Sequence, residues 1–287
     1  TIAETLIDPL IGADIRAELA SDEGIAFAAA RQRAVAKRLG EMSCQLETPN
    51  NILAVEYIKA IYNLGLNLKP VTIQRFGSGH DELSGEGYKS AAEIRRMISG
   101  GKDIASELPE SACAVYRREE KLGRGPVTPE SLESAIISRL RMLPDKAYAA
   151  LPDTGEGLHN RIARAAKEEC SLDAILAAGK SKRYALSRIR RIIMCAALGI
   201  SAQMSAETPP YARVLAANSR GCSLLRDMGE KSRIPVITKP TEVKSCGDEC
   251  RGLFELGSAA HDLYVLGYAA RGERKGGADW RTSPKIM

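Results

Sequence analysis

Apolar positions in this chain recur at helical rather than alternating spacing over most of its length. In residues 28–39 (AAARQRAVAKRL), Ala, Val and Leu share one face, while Arg31, Arg33, Lys37 and Arg38 lie elsewhere. That is the pattern of a surface helix, and residues 1–45 read as helical throughout. Thr48-Pro49-Asn50-Asn51 interrupts it. Pro and Asn at that point signal a helix start, and the pattern resumes from Ile52 to Leu64.

Past Gly65 the spacing changes. Residues 70–75 (PVTIQR) are short, β-branched and introduced by Pro, which predicts a strand. A glycine-rich loop, 76–87, follows, and Ser90 then caps a helix running through Ile94 to about Ser99. Helix, strand, loop and helix form the closing half of an open α/β unit, whose ligands bind beyond the strand ends. One strand does not make a sheet, so the other strands are expected from an upstream segment or another chain.

From Thr128 the helical pattern returns. Thr128-Pro129-Glu130 opens a helix reaching Met142, with Pro in its first turn and an acid near its positive end. Residues 157–169, 171–178 and 181–198 form a further helical run, 235–238 a short strand, and 255–268 a last helix before a glycine-rich, basic tail. The expected organisation is a helical segment at 1–45, an α/β core at 46–110 and a mainly helical domain at 111–287.

Composition narrows the function classes. The chain has 287 residues, 44% hydrophobic and 27% charged, values ordinary for a globular protein. Only three Phe and one Trp are present, which argues against an aromatic platform for base stacking. Lys and Arg exceed Asp and Glu by 41 to 36, a mild excess that suits a polyanionic partner without requiring one. Its distribution says more. Residues 180–191 (KSKRYALSRIRR) carry six cations, and no acid occurs between Asp173 and Glu207. This is the footprint expected for a nucleic-acid backbone, with a solvated basic face as the alternative. Seven scattered cysteines fit a reducing cytoplasm better than a disulfide framework. No apolar run reaches membrane-spanning length. Cys246 and Cys250 are loosely zinc-spaced, but no second pair or His follows at finger spacing.

Two further groups suit nucleotide chemistry. Asn50, at a helix start, has the donors and acceptor to read an adenine edge or a ribose, and Arg75, at a strand end, suits a phosphate. A helix cap and a surface arginine are the plainer reading. Ser90 and Arg95 place a hydroxyl and a guanidinium at a helix N-terminus, a ready phosphate site, or an ordinary capped amphipathic helix. His80-Asp81 reads equally as an acid–base pair or as surface. No Walker motif, GxGxxG or Ser-His-Asp set occurs.

Taken in order, TPNNILAVEYIKA (48–60), KPVTIQR (69–75), GSGHDE (77–82) and SAAEIR (90–95) resemble the second half of the nucleotidyltransferase core of tRNA(Met) cytidine acetate ligases. GIAFAAAR (24–31) is similar to the segment leading into that core. LPDTGEGLHNRI (151–162), KSKRYALSRIRRII (180–193), PVITKP (235–240) and WRTSP (280–284) are similar to the family's helical C-terminal half.

The resemblance implies an α/β plus α fold: a partial Rossmann-like nucleotidyltransferase core, second half only, with a mostly helical C-terminal domain. It implies activation of acetate by ATP, accompanied by Mg2+, to acetyl-adenylate, followed by attack of the wobble cytidine amine of elongator tRNA(Met) to give N4-acetylcytidine. By motif position Asn50, Arg75, Phe76, Ser90 and Arg95 would contact ATP. Lys180, Lys182, Arg183, Arg188, Arg190 and Arg191 would hold tRNA phosphates. Two departures stand out. The family's N-terminal HxGH-type loop has no counterpart, since His80, His159 and His261 lie in no such pattern. The resemblance therefore implies a truncated chain that does not form the adenylate alone. Ala92 also stands where the closing segment is expected to carry a hydroxyl. A non-catalytic RNA-binding helical module and a nucleotidyltransferase of other substrate remain the alternatives.

Overall fold

The computed structural model describes residues 1–22, 25–73, 88–155, 157–181, 184–206 and 208–287. The chain divides into two compact units, Thr1–Pro109 and Glu110–Met287.

The first unit contains α1 (Ile2–Ile7), α2 (Ile11–Ser21), α3 (Phe27–Leu39), a 3-10 segment (Gly40–Glu47), α4 (Pro49–Asn63) and α5 (Ala91–Ser99). Its core is built on the small residues that the helical spacing of α3 places together. Ala30, Ala34 and Val35 are fully buried and pack with Ile2, Ile11, Ile15, Leu46 and Val55. The cations of α3 are held at the margin of this core. Arg38 bridges Asp8 and Asp14, each at 2.6 Å, Arg31 meets Glu56 at 3.1 Å, and Lys37 pairs with the buried Glu18. Hydrogen bonds to Asp14 and Asp8 raise the pKa of the Arg38 guanidinium.

The expected strand at 70–75 is not formed in the part described. Residues 66–73 lie in no strand, and Val71 and Ile73 are 82% and 92% exposed. A strand's N–H and C=O groups need a neighbouring ladder; among the described residues none lies against 70–73, and the strands found there pair with one another further along the chain. Gln74, Arg75 and the glycine-rich loop 76–87 lie outside the described residues.

The second unit begins with α6 (Glu110–Lys121), α7 (Pro129–Met142), α8 (Asp145–Tyr148), α9 (Leu158–Glu168), α10 (Leu172–Gly179), α11 (Leu186–Leu198) and α12 (Ala202–Ala206). Helices α7, α9, α10 and α11 enclose Leu140, Leu158, Ile162, Ala166, Ile175, Ile189, Ile192 and Ile193, all at most 1% exposed. Gly179 permits the closest approach: a Cβ there would sit 2.7 Å from Cγ2 of Ile189. Tyr148 is buried in the same core, and its hydroxyl donates to the Leu140 carbonyl at 2.8 Å. Burial, with Asp145 nearby, pushes its pKa up to about 12.

Three arginines tie the helix ends together. Arg139 donates to the Ala197 carbonyl of α11, Arg141 to Ala166 of α9 and to Glu169, and Arg161 to Ala178 of α10 and to Lys180. Helix C-termini leave their last carbonyls without intrahelical partners, and guanidinium forks supply the missing donors. Part of the chain's basic excess is thus spent inside the fold.

Beyond α12 come β1 (Ala212–Arg213), β2 (Ala216–Ala217), α13 (Ser219–Lys231), β3 (Val236–Ile237), α14 (Asp248–Val265) and β4 (Lys285–Ile286). The strand expected at 235–238 is β3. It runs parallel to β1, with Ala212 opposite Val236, and β2 runs parallel to β4. Phe254, Ile237 and Val243 form a small core against Tyr211 and Trp280, with the Phe254 and Trp280 rings edge-on at 4.6 Å. The helix expected at 255–268 starts earlier, at Asp248, after Gly247 at φ 90°.

Candidate nucleotide and RNA sites

The nucleotide candidates lie in the first unit. Asn50 is the second residue of α4 and is exposed. Thr48, at the N-cap, makes no side-chain cap, so the amides of this helix start are not closed off by it. The neighbouring Asn51 is engaged, donating to the Gln45 side chain at 2.8 Å. Ser90 is buried, and its Oγ accepts the Glu93 amide at 3.2 Å as the cap of α5. Arg95 projects from the next turn and is exposed, on a helix whose other side, Ile94, Met97 and Ile98, is half-buried. Lys89, just before the cap, is anchored to Glu107 at 2.9 Å. That bond raises the lysine's pKa and lowers the carboxylate's. Ser90 and Arg95 therefore share one helix start but not one face, the hydroxyl buried and the guanidinium exposed. Arg75 and Phe76 lie outside the described residues.

The basic run lies in the second unit and is not one continuous helix, as its spacing suggested. Helix α10 ends at Gly179 and α11 begins at Leu186. Lys180 caps the end of α10, and its carbonyl accepts from Arg161 at 2.9 Å. Tyr184 turns inward and is buried, with the Arg188 guanidinium 5.0 Å over its ring. The interruption follows from geometry: a continuous helix would leave no turn to bring α11 back against α10 at the Gly179–Ile189 contact. Lys182 and Arg183 lie outside the described residues.

The run is also less positive than its sequence. Asp153, at φ 61°, turns its main chain and carboxylate toward α11. Its carbonyl accepts from Nε and Nη2 of Arg188 at 3.0 and 2.6 Å, and its carboxylate takes both from Arg191 at 3.1 and 2.6 Å. The lack of an acid between Asp173 and Glu207 is offset by one delivered from a preceding loop. Arg190 lies on the other flank of α11, exposed, without a polar partner among the described residues.

A second polar cluster had no local sequence signal. Asp279 accepts from Arg213 at 2.5 Å and meets Nδ1 of His261 at 2.6 Å, and Arg213 also lies 4.9 Å from the Phe254 ring centre. Burial alone would raise the Asp279 pKa, but the hydrogen bonds from Arg213 and His261 outweigh it and hold the carboxyl below its usual range. The partners are 18 and 66 residues from Asp279 in the chain, so no motif links them. Cys250 and Cys246 donate to the Pro210 and Glu242 carbonyls, and no group of three or more metal-ligating side chains occurs among the described residues. No helix among them is long and apolar enough to cross a membrane.

Residues 2–279 match the family model described as HIGH Nucleotidyl Transferase. A tRNA(Met) cytidine acetate ligase of Caldanaerobacter subterraneus subsp. tengcongensis is 34% identical over 253 residues, 86% of this chain and 62% of that protein. One from Syntrophomonas wolfei is 31% identical over 278 residues, 91% of this chain and 67% of that protein. The crystal structure of apo Thermotoga maritima TmcAL superposes with a TM-score of 0.90 at 25% identity, covering all of this chain and 73% of that one. The form bound with alpha-thio ATP superposes at 0.88 and 24% identity, covering 99% and 72%. The chain thus spans about 62% of the length of the Caldanaerobacter relative. It belongs to the HIGH nucleotidyl transferase family, in the group of the tRNA(Met) cytidine acetate ligases. Its fold is accordingly nucleotidyltransferase-like and mostly helical, with a few short parallel strands.

Proposed function

We propose that the protein containing these residues is an ATP-dependent ligase that acetylates the wobble cytidine of elongator tRNA(Met). The observation that carries this reading is the similarity to ligases of that name over 91% of the chain. An acetate oxygen attacks the α-phosphorus of ATP and expels pyrophosphate. The cytidine N4 then attacks the acetyl carbon, AMP leaves, and the amine loses a proton. Neither step needs a protein nucleophile. Both need the reactants aligned and the phosphate charge neutralised.

In this scheme Asn50 and the open start of α4 read the nucleoside, and Arg75 and Phe76 adjoin it. Arg95 pairs with phosphate. The Ser90 oxygen fixes the turn of α5, while its O–H remains to donate. An accompanying Mg2+ would be carried in on the triphosphate oxygens, with one or two protein carboxylates completing its shell. Lys180, Lys182, Arg183 and Arg190 form the RNA-facing charge, with Arg188 and Arg191 shared with Asp153. A tRNA substrate and seven free thiols are both compatible with a reducing cytoplasm.

The test is binding of elongator tRNA(Met) against a pool of other tRNAs over a salt series. Selective binding that weakens steeply with salt is expected, and replacing Lys180, Lys182, Arg183 and Arg190 with Ala should flatten the slope by roughly one for each phosphate no longer neutralised. Equal weak binding to all tRNAs would favour a generic basic surface. Acetate-dependent pyrophosphate release by the full-length protein tests the chemistry separately.

Asp153 gives a second expectation. Asn tolerates the left-handed backbone there, so Asp153→Asn should keep the loop while removing the counter-charge from Arg191. Affinity for single-stranded RNA at low salt should rise about threefold, with the gain vanishing at high salt. Unchanged affinity in a filter-binding titration would mean that this flank does not face RNA.

A further inference from the structure

A groove of about 570 Å³ lies in the second unit between α7, α10, α11 and α14. Its volume falls in the range of small-molecule pockets. The floor is apolar, from Ile136, Leu172, Leu176 and Ile193. Three charges line its walls: Glu130 of α7, whose carboxylate is taken up by Thr128 and its own backbone amide, Asp173 on α10 and Arg190 on α11. Asp173 and Arg190 are exposed, and neither has an ion-pair or hydrogen-bond partner among the described residues. Tyr264 of α14 completes the rim. It is 45% exposed, and its ring is held edge-on to Tyr268 at 5.9 Å.

An apolar slot with one unpaired donor fork, one unpaired acceptor and an aromatic edge has a specific complement. A purely apolar segment would leave the carboxylate and guanidinium unanswered, and a phosphate would be repelled by Asp173. A flat heteroaromatic ring carrying an amino donor beside ring or carbonyl acceptors answers all the features at once. Carboxylates accept from the cytosine amino group, arginine donates to ring and carbonyl acceptors, and unstacked RNA bases are taken up on aromatic and guanidinium planes. We infer that this groove is a subsite for one unstacked, amino-bearing pyrimidine of a bound RNA, with Asp173 reading the amine, Arg190 the acceptor edge and Tyr264 the ring face. The inference rests on the RNA-modifying reading above and adds to it a base-reading site. It also gives Arg190 a base contact beside its phosphate-facing charge.

The experiment uses the full chain and two single-stranded RNA trimers, ACA and AUA, titrated by fluorescence anisotropy. The wild type should prefer ACA by roughly tenfold, the scale of one well-made base contact. Asp173→Asn, an exposed and nearly isosteric change, should erase or reverse that preference, because an amide can donate to the uracil carbonyl. Tyr264→Ala should weaken both trimers with the thermal transition unchanged. Equal binding of ACA and AUA by the wild type, or a preference that survives Asp173→Asn, would overturn the inference and leave the groove to a polypeptide segment. A trimer preference without tRNA selectivity would instead remove the ligase reading while this one stood. Selective tRNA binding without a trimer preference would do the reverse.

Discussion

Replacing Ile192 with Ala is expected to destabilise the second unit by about 3–4 kcal/mol, the usual cost of truncating a fully buried aliphatic side chain. Ile192 is 0% exposed and sits in the α7–α9–α10–α11 core. Its neighbours have little room to collapse into the void. The cluster includes five alanines (Ala163, Ala165, Ala166, Ala196 and Ala197), whose side chains have no rotamers with which to fill space. Ile192→Val should cost only about 1 kcal/mol. Trp280 is the one tryptophan and lies in the second unit, so its fluorescence during urea unfolding reports on that unit alone, which matters because two units need not unfold together. A destabilisation under about 1 kcal/mol for Ile192→Ala, well below the range for buried aliphatics, would mean that the helices are not packed as described.

The second large effect is expected at Asp279. Its carboxylate joins β1, through Arg213, to α14, through His261. Removing it in Asp279→Ala leaves the Arg213 guanidinium, 26% exposed against Phe254, without its anion. Breaking a fully buried pair by deleting one member costs about 3–5 kcal/mol. Arg213 and His261 retain some water contact, so about 2 kcal/mol is the appropriate scale. The same residue sets a pH dependence. Its folded-state pKa is depressed, so its contribution is complete above the unfolded carboxylate value of about 4 and is lost as pH falls through the lower folded value. Wild-type stability should decline over that acidic window, and the decline should be shallower in Asp279→Ala. Amide exchange in α14, followed from about pH 6 to about pH 2.5 to bracket that window, checks both. Parallel curves for the two proteins would exclude Asp279 as the source.

The helices were legible where their spacing was local. Thr128-Pro129 and Ser90 mark starts that the structure keeps, at α7 and α5, because capping is decided within one turn of chain. The strand at 70–75 shows the opposite limit. Its β-branched residues express a preference for a pleated surface, and a preference is not a ladder. The short parallel strands at 212–213, 216–217 and 285–286 have the inverse character. Two-residue pairings carry too little pattern to be read and depend on segments brought together by α13 and α14. Asp153 and Asp279 were hidden for the same reason, since each acts on residues far away in the chain. Of the candidate site, the Ser90–Arg95 turn and the cationic run could be read from residue type and order. The division of labour among the cations needed the third dimension.

That division lies along α11. Successive residues of a helix turn by about 100°, so Arg188 and Arg191 fall on one flank and Arg190 on the other, with Ile189, Ile192 and Ile193 filling the core side. The helix acts as a partition. Residues 153, 188 and 191 form a coupled trio, in which changing one alters the environment of the other two. Position 190 is independent of that trio. Anyone recoding this surface to accept a different RNA should exchange 153, 188 and 191 as a block, and vary 190 with its facing residue 173.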